Sequence, residues 1–285
     1  MGMSIHTDDK VREEIKPWVR RFARTGYMAK GFVYMVVGIL SLMAALGVGG
    51  KATGTSGMFR SLALVPLGNI LVWLTGIGLF MYIGWALIKA FYDPKGEGKN
   101  PKGLVKRSGY LITAIIYTTL ATQAIRIAVS AVAGGGGGNS NQTMSARLLE
   151  QPFGPWILGG VGAVIIGYGV YELVNGLTRR FMKKFLLTHM DDHEKKIARN
   201  AGAAGLTARG IVLGLIGFFF IRTAITHDPN QAKGLDGALS EIASQPHGRW
   251  LLGIVALGLV LYGIYQITRG RYEHMQFGKK ERDRS

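Results

Sequence analysis

The chain has 285 residues, 48% of them hydrophobic, and carries a formal net charge of +17. It has no cysteine, which excludes disulfides, thiolate metal centres and a cysteine nucleophile. Its apolar residues are gathered in long blocks between basic, Gly-rich or Pro-rich segments, which excludes an ordinary soluble domain with apolar residues spaced at helix or strand period.

In chain order, the N-terminal segment is polar and basic. Val11, Ile15, Trp18 and Phe22 recur at steps of four, three and four, one face of a helix, while Arg12, Lys16, Arg20 and Arg21 fall elsewhere. This predicts a cytoplasmic amphipathic arm over 1–25, lying on the membrane surface, with Pro17 placed to kink or split it. Six apolar blocks follow, at about 27–48, 67–91, 109–132, 155–177, 206–226 and 249–268. Each approaches or exceeds the ~20 residues that cross a ~30 Å hydrocarbon layer. They divide the chain into a first pair of spans (26–93), a second pair (94–180), a basic linker (181–204), a third pair (205–272) and a basic tail (273–285). The run Gly134 to Gly138 lacks the Lys-Ser/Thr ending of a phosphate loop and reads as a flexible tether. In the linker, His189 and His193 stand four apart, a spacing that can hold one metal on a helix face. Without further ligands the segment reads as solvated and charged, so neither metal nor cofactor is expected.

The basic residues alternate from loop to loop. The arm to Lys30 has 7, the 93–107 loop 5, the 178–209 segment 8 and the tail from Arg269 6, whereas the other three loops have 2, 1 and 2. This is the positive-inside asymmetry, and it predicts both termini in the cytoplasm. The basic loops then face anionic lipid, which accounts for the charge without nucleic acid. Membrane lipids, and other membrane proteins, are the expected partners.

One unit recurs three times. Seventeen residues on from Gly26, Gly109 and Gly205 stand Met43, Arg126 and Arg222. A Pro-x-Gly precedes each even-numbered span, at Pro66, Pro152 and Pro246, and sixteen residues after each Pro stand Tyr82, Tyr168 and Tyr262. Those tyrosines read as belt anchors or packing residues near the cytoplasmic ends. A short amphipathic stretch lies before each Pro: SGMFRSLALVP, TMSARLLEQP and LDGALSEIASQP. Each predicts a short helix at the outer interface. Every copy starts and ends on the same side, so the repeats are parallel. The predicted fold is an all-α polytopic membrane protein, six transmembrane helices in three two-helix repeats. These pack either as a pseudo-threefold bundle or as hairpins in a row.

These motifs together resemble a known family. ARTGY, KRSGY and TARG open the repeats; AIRIAV and FIRTAI carry the arginines; GALSEIASQPHG and EQPFGPW lead into the even spans. The pattern, over roughly 20–272, resembles the bacterial membrane proteins known as domain of unknown function 1206. The resemblance implies three two-helix repeats and six spans in a bacterial inner membrane, and no established activity. The first repeat departs from it, with Met43 for the arginine and Val65-Pro66 for Gln-Pro.

The candidate site residues are the charges inside the spans. Arg126 and Arg222 lie seventeen residues into their spans, ~25 Å from the inner edge and so in the outer quarter of the membrane. Three roles are open to them: snorkelling outward, pairing with Glu150 and Glu241 of the outer helices as a staple, or clamping an anionic ligand. Thr119, Gln123, Arg126 and Ser130 form a polar stripe on one helix face. Glu172 stands near the inner end of the fourth span and is expected to pair with a basic inner residue. No hydrolase or metalloprotease motif occurs in the spans. Two functions of different class follow. The first is a non-enzymatic packing or interaction protein that binds lipid or membrane partners. The alternative is a transporter or channel for a small anionic solute at the Arg126/Arg222 level.

Overall fold

The computed structural model describes residues 5–49, 53–92, 100–133, 145–146, 148–185 and 187–273, with most side chains from Arg21 onward. The Gly134–Gly138 run, the tail beyond Glu273 and the side chains of the arm before Arg21 lie outside the described residues. The described residues are helical, with one isolated bridge, Phe185 to Glu273, and no strand. The long helices are α1 (Ile5–Leu46), α3 (Gly68–Phe91), α4 (Pro101–Ala133), α5 (Gly154–Leu177), α6 (Asp192–Thr226) and α8 (Gly248–Tyr272). All six are long and apolar enough to cross a membrane. Two short helices, α2 (Thr55–Ala63) and α7 (Leu235–Ser244), precede α3 and α8. Residues 145–146 and 148–149 are helical in the same place before α5. The protein is a multi-pass membrane protein built from one unit used three times. Pro17 does not split the helix, since α1 runs through it and continues into the first span.

The Pro-x-Gly motif makes the sharp turn from short helix to span. A side chain on Gly68 would stand 1.7 Å from the Leu62 carbonyl, on Gly154 1.7 Å from that of Leu148, and on Gly248 2.1 Å from that of Ala243. Only glycine lets the last carbonyls of the short helix rest on the start of the span. The residue before it takes a left-handed conformation in two copies, Leu67 (φ 60°) and His247 (φ 61°).

Small residues decide which helices meet, because membrane helices gain nothing from hydrophobic exclusion and rely on close contact. Each even-numbered span packs on the odd-numbered span of the next repeat: α3 on α4, α5 on α6, α8 on α1. The three seams use matching positions. A Cβ on Gly217 would lie 2.6 Å from the Gly162 carbonyl, one on Gly38 2.7 Å from that of Ala256, and one on Gly76 3.9 Å from that of Ala121. This is the pseudo-threefold relation.

The contacts inside each repeat break that symmetry. α1 packs on α3 and α6 on α8, but among the described residues α4 and α5 share no packed face. In the two closed hairpins a glycine meets an alanine. A Cβ on Gly78 would stand 2.4 Å from that of Ala29, and one on Gly258 2.2 Å from that of Ala208. The corresponding residues of the second repeat are Val164 and Ile112, both β-branched. Gly109, the counterpart of Gly26 and Gly205, has nothing within 4 Å of its Cβ position. Among the described residues the bundle is therefore an arc in the order α5, α6, α8, α1, α3, α4, open between its two ends.

The short helices close one end of the arc. Met58 and Phe59 of α2 and Ala238 and Leu239 of α7 are wholly buried. Asp236 joins the two: its carboxylate accepts from the Gly54 N–H (2.8 Å), the Gly57 N–H (3.3 Å) and the Thr53 hydroxyl (3.4 Å). A side chain of the third repeat thus caps a helix of the first, in favourable contact with its dipole. Asp236→Ala should weaken α2 by roughly 1 kcal/mol, seen as about fivefold faster hydrogen exchange at the Gly54 and Gly57 amides. Unchanged exchange there would show that the cap is ornamental.

Candidate functional site

Two positions on the odd-numbered spans and one on the even-numbered spans converge in the half of the arc away from α2 and α7. Four residues after each repeat glycine stand Lys30, Thr113 and Arg209; eight after it stand Tyr34, Tyr117 and Leu213. Residues four apart share a helix face, so each pair points the same way. The even-numbered spans bring Tyr82, Tyr168 and Tyr262. Tyr82 and Tyr262 come close because a side chain on Gly26 or Gly205 would meet their backbone at 2.6 Å and 2.5 Å.

Lys30 is buried, and its ammonium donates to the Tyr82 hydroxyl (3.2 Å). It lies 4.9 Å from the ring centres of Tyr82 and Tyr117 and 5.6 Å from that of Tyr262, within cation–π range. Arg209 is buried beside it. Its Nη1 donates to the buried Glu172 carboxylate and its Nε to the Tyr34 hydroxyl (3.1 Å). Its guanidinium sits over the rings of Tyr262 (4.9 Å), Tyr34 (5.3 Å) and Tyr168 (5.7 Å). Lys89 continues the cluster, donating to the Tyr27 hydroxyl (3.4 Å) and lying 4.6 Å from the Tyr110 ring. Arg269 lies over the Tyr27 ring (4.7 Å) and pairs with Glu273 (2.8 Å). The arrangement is a string of cations caged in phenol rings, with a carboxylate on each arginine. Three buried acceptors or hydroxyls of this layer have no hydrogen-bond partner: the Tyr117 hydroxyl, Glu172 Oε2 and Gln266 Oε1.

Arg209 lies seventeen residues before the end of α6 at Thr226, ~25 Å along the axis. With that end at one surface, the cluster sits at the opposite edge of a ~30 Å hydrocarbon layer, close to where headgroups begin.

The sequence-predicted residues fall in different places. Glu172 is in the cluster, on Arg209. Tyr82 and Tyr262 are buried in it as packing residues, while Tyr168 is 41% exposed and stacked on Tyr171. Arg126 and Arg222 are exposed on the surface near the α2/α7 end and gather no common site. Thr119 turns back on its own helix, donating to the Ile115 carbonyl (3.4 Å). Gln123 accepts from Ser56 of α2 (2.9 Å), which packs this part of the stripe against protein. Glu150 is exposed. Glu241 accepts from Lys233 (2.7 Å) and Gln245 (3.2 Å), so its bonded cation is a loop lysine and not Arg222. The Lys233 ammonium holds the Glu241 carboxyl below its ordinary range. Sequence reasoning missed Lys30 and Arg209, counting them with the inner loops because each stands within one turn of a repeat glycine. Their equal offset from Gly26 and Gly205 was the available signal.

Comparison with known proteins agrees with the repeat. The family model described as Domain of Unknown Function (DUF1206) matches three times, over residues 25–93, 108–179 and 204–273. A Bacillus subtilis (strain 168) protein, Uncharacterized protein YxxB, is 42% identical over 270 residues, covering 95% of this chain and 97% of its own. No solved structure matches.

Proposed function

Because the chain belongs to the DUF1206 family, a family described only as a domain of unknown function, we propose its role from its own residues: a non-enzymatic interaction protein that binds membrane lipid along one open side. The observation that carries this reading is the unclosed second repeat. α5 is the least enclosed of the six long helices and presents Val161, Val164, Tyr168 and Tyr171 outward. Behind Tyr168 lies the Arg209 guanidinium, so the open side joins an apolar face to buried positive charge at headgroup depth. That combination suits an anionic lipid better than an apolar protein helix: Arg209 is paired with Glu172, but Lys30 beside it has no carboxylate within ion-pair distance among the described residues, and an apolar helix would leave that charge unmatched. The asymmetry of basic loops supports placing this edge in the cytoplasmic leaflet of a bacterial inner membrane, with both termini on that side.

The transport reading draws no support from the polar stripe, since Gln123 is bonded to Ser56 and the α2/α7 end is filled by wholly buried side chains. Two measurements test the choice. The absence of native cysteine allows a single Gln123→Cys in the full chain, expected to resist a membrane-impermeant maleimide. Native mass spectrometry of protein extracted in mild detergent should retain lipid. Rapid labelling at 123 together with loss of every lipid would overturn the proposal in favour of a solute path. A stoichiometric protein in place of lipid would overturn the choice of occupant.

A further inference from the structure

Lys30 and Tyr117 hold the strongest unexplained chemistry in the molecule. Among the described residues no carboxylate lies within ion-pair distance of Lys30; its partners are the Tyr82 hydroxyl and three ring faces. An ammonium has three N–H donors, and here one is accounted for by an oxygen. Tyr117 is 3% exposed, yet its hydroxyl has no hydrogen-bond partner. Its electrostatic neighbours are Tyr34, Arg209, Tyr262 and Tyr82, the same groups that surround Lys30 and Arg209. In the first repeat the matching hydroxyl, Tyr34, is satisfied by the Arg209 guanidinium. For Tyr117 the residue that stands in the place of Arg209 is Lys30 of the first repeat, whose ammonium lies over the Tyr117 ring (4.9 Å) and donates to the Tyr82 hydroxyl instead. The second repeat thus leaves a buried donor where the first has a complete bond, on the helix that borders the open side.

A buried cation and a buried unpartnered hydroxyl are costly in a low-dielectric layer unless something accepts from both. An oxygen anion does so. Two bare acceptors in the same layer, Glu172 Oε2 and Gln266 Oε1, refine the class. A phosphate monoester with two charges would be repelled by Glu172, whereas a singly charged phosphodiester with hydroxyls on its headgroup matches donors and acceptors alike.

Resting on the lipid-binding reading above, we propose that Lys30 and Tyr117 form a site for a phosphate-type oxyanion. Its occupant is the phosphodiester of an anionic, hydroxyl-bearing lipid that arrives between α4 and α5. Lys30 donates to a phosphate oxygen, Tyr117 donates to the same group, and Glu172 and Gln266 accept from headgroup hydroxyls. Tyr168 and Tyr171 flank the path on the lipid side.

The test uses the full chain, delipidated in detergent and titrated with phosphatidylglycerol, phosphatidylcholine or inorganic phosphate. Phosphatidylglycerol should bind at least about tenfold more tightly than phosphatidylcholine. Lys30→Met should abolish that preference. Tyr117→Phe, which removes one oxygen and keeps the ring, should weaken phosphatidylglycerol about threefold to tenfold, and keeps the test sharp if Lys30→Met does not fold. Arg126→Met, at an exposed site near the other end, should leave binding unchanged. Phosphatidylglycerol held equally by the parent chain and both variants overturns the site while leaving lipid binding intact. Stabilisation by inorganic phosphate that depends on Lys30, with no lipid retained, supports the oxyanion site and overturns the lipid as its source. No response of any of the three probes to either variant overturns the site outright.

Discussion

An Arg209→Met variant should lose about 3–5 kcal/mol of stability and unfold on the order of 10 °C below the parent chain in detergent. The reason lies in what remains. Glu172 is buried, one of its oxygens is on Arg209, and the other has no partner. Taking away the guanidinium leaves an uncompensated carboxylate in a low-dielectric layer, a far larger penalty than the net worth of the pair. Glu172→Gln in the same chain should therefore recover most of the loss, because it removes the orphaned charge. A double-mutant cycle by thermal unfolding reads the coupling directly. If the two substitutions simply add, the pair is no structural unit and Glu172 is solvated by another route. The rings of Tyr34 and Tyr262 lose a cation in either case, so any part that Glu172→Gln does not restore measures the cation–π share.

Gly205→Leu should be strongly destabilising, whereas Gly160→Leu should be neutral or slightly stabilising. At Gly205 the new Cβ would meet the Tyr262 backbone at 2.5 Å, and backbone cannot swing aside as a side-chain tip can. The α6/α8 contact must open, which costs about 1–3 kcal/mol or more and withdraws Tyr262 from both Lys30 and Arg209. At Gly160 nothing lies within 4 Å, and leucine favours helix over glycine by somewhat under 1 kcal/mol. Thermal unfolding of the two variants side by side checks this. Equal destabilisation would mean that α5 has a packed neighbour on that face and that the second repeat is closed. The comparison therefore also probes the opening on which the lipid reading depends.

Much of this protein is set by the sequence itself. Spans, repeats and turns are local: an apolar block of some twenty residues has no soluble alternative, and Pro-x-Gly forces a turn whose glycine alone tolerates the carbonyls of the preceding helix. The short helices before Pro66 and Pro246 were legible from their amphipathic pattern, and Glu172 announced its need for a cation by standing alone in an apolar run. What only tertiary structure decided is which faces meet. Charge counting assigned Lys30 and Arg209 to loops, because composition cannot distinguish a cation just outside a span from one a turn within it. Packing put both behind tyrosines. It likewise moved attention from Arg126 and Arg222, conspicuous in sequence yet exposed, to a cluster assembled from all six long helices. The opening in the second repeat is written in Val164 and Ile112, but as a difference from Gly78–Ala29 and Gly258–Ala208 that has meaning only once those pairs are seen to touch. Close approach of membrane helices depends on pairs of small residues on different helices, and a pair distant in sequence becomes visible only when the fold brings it together.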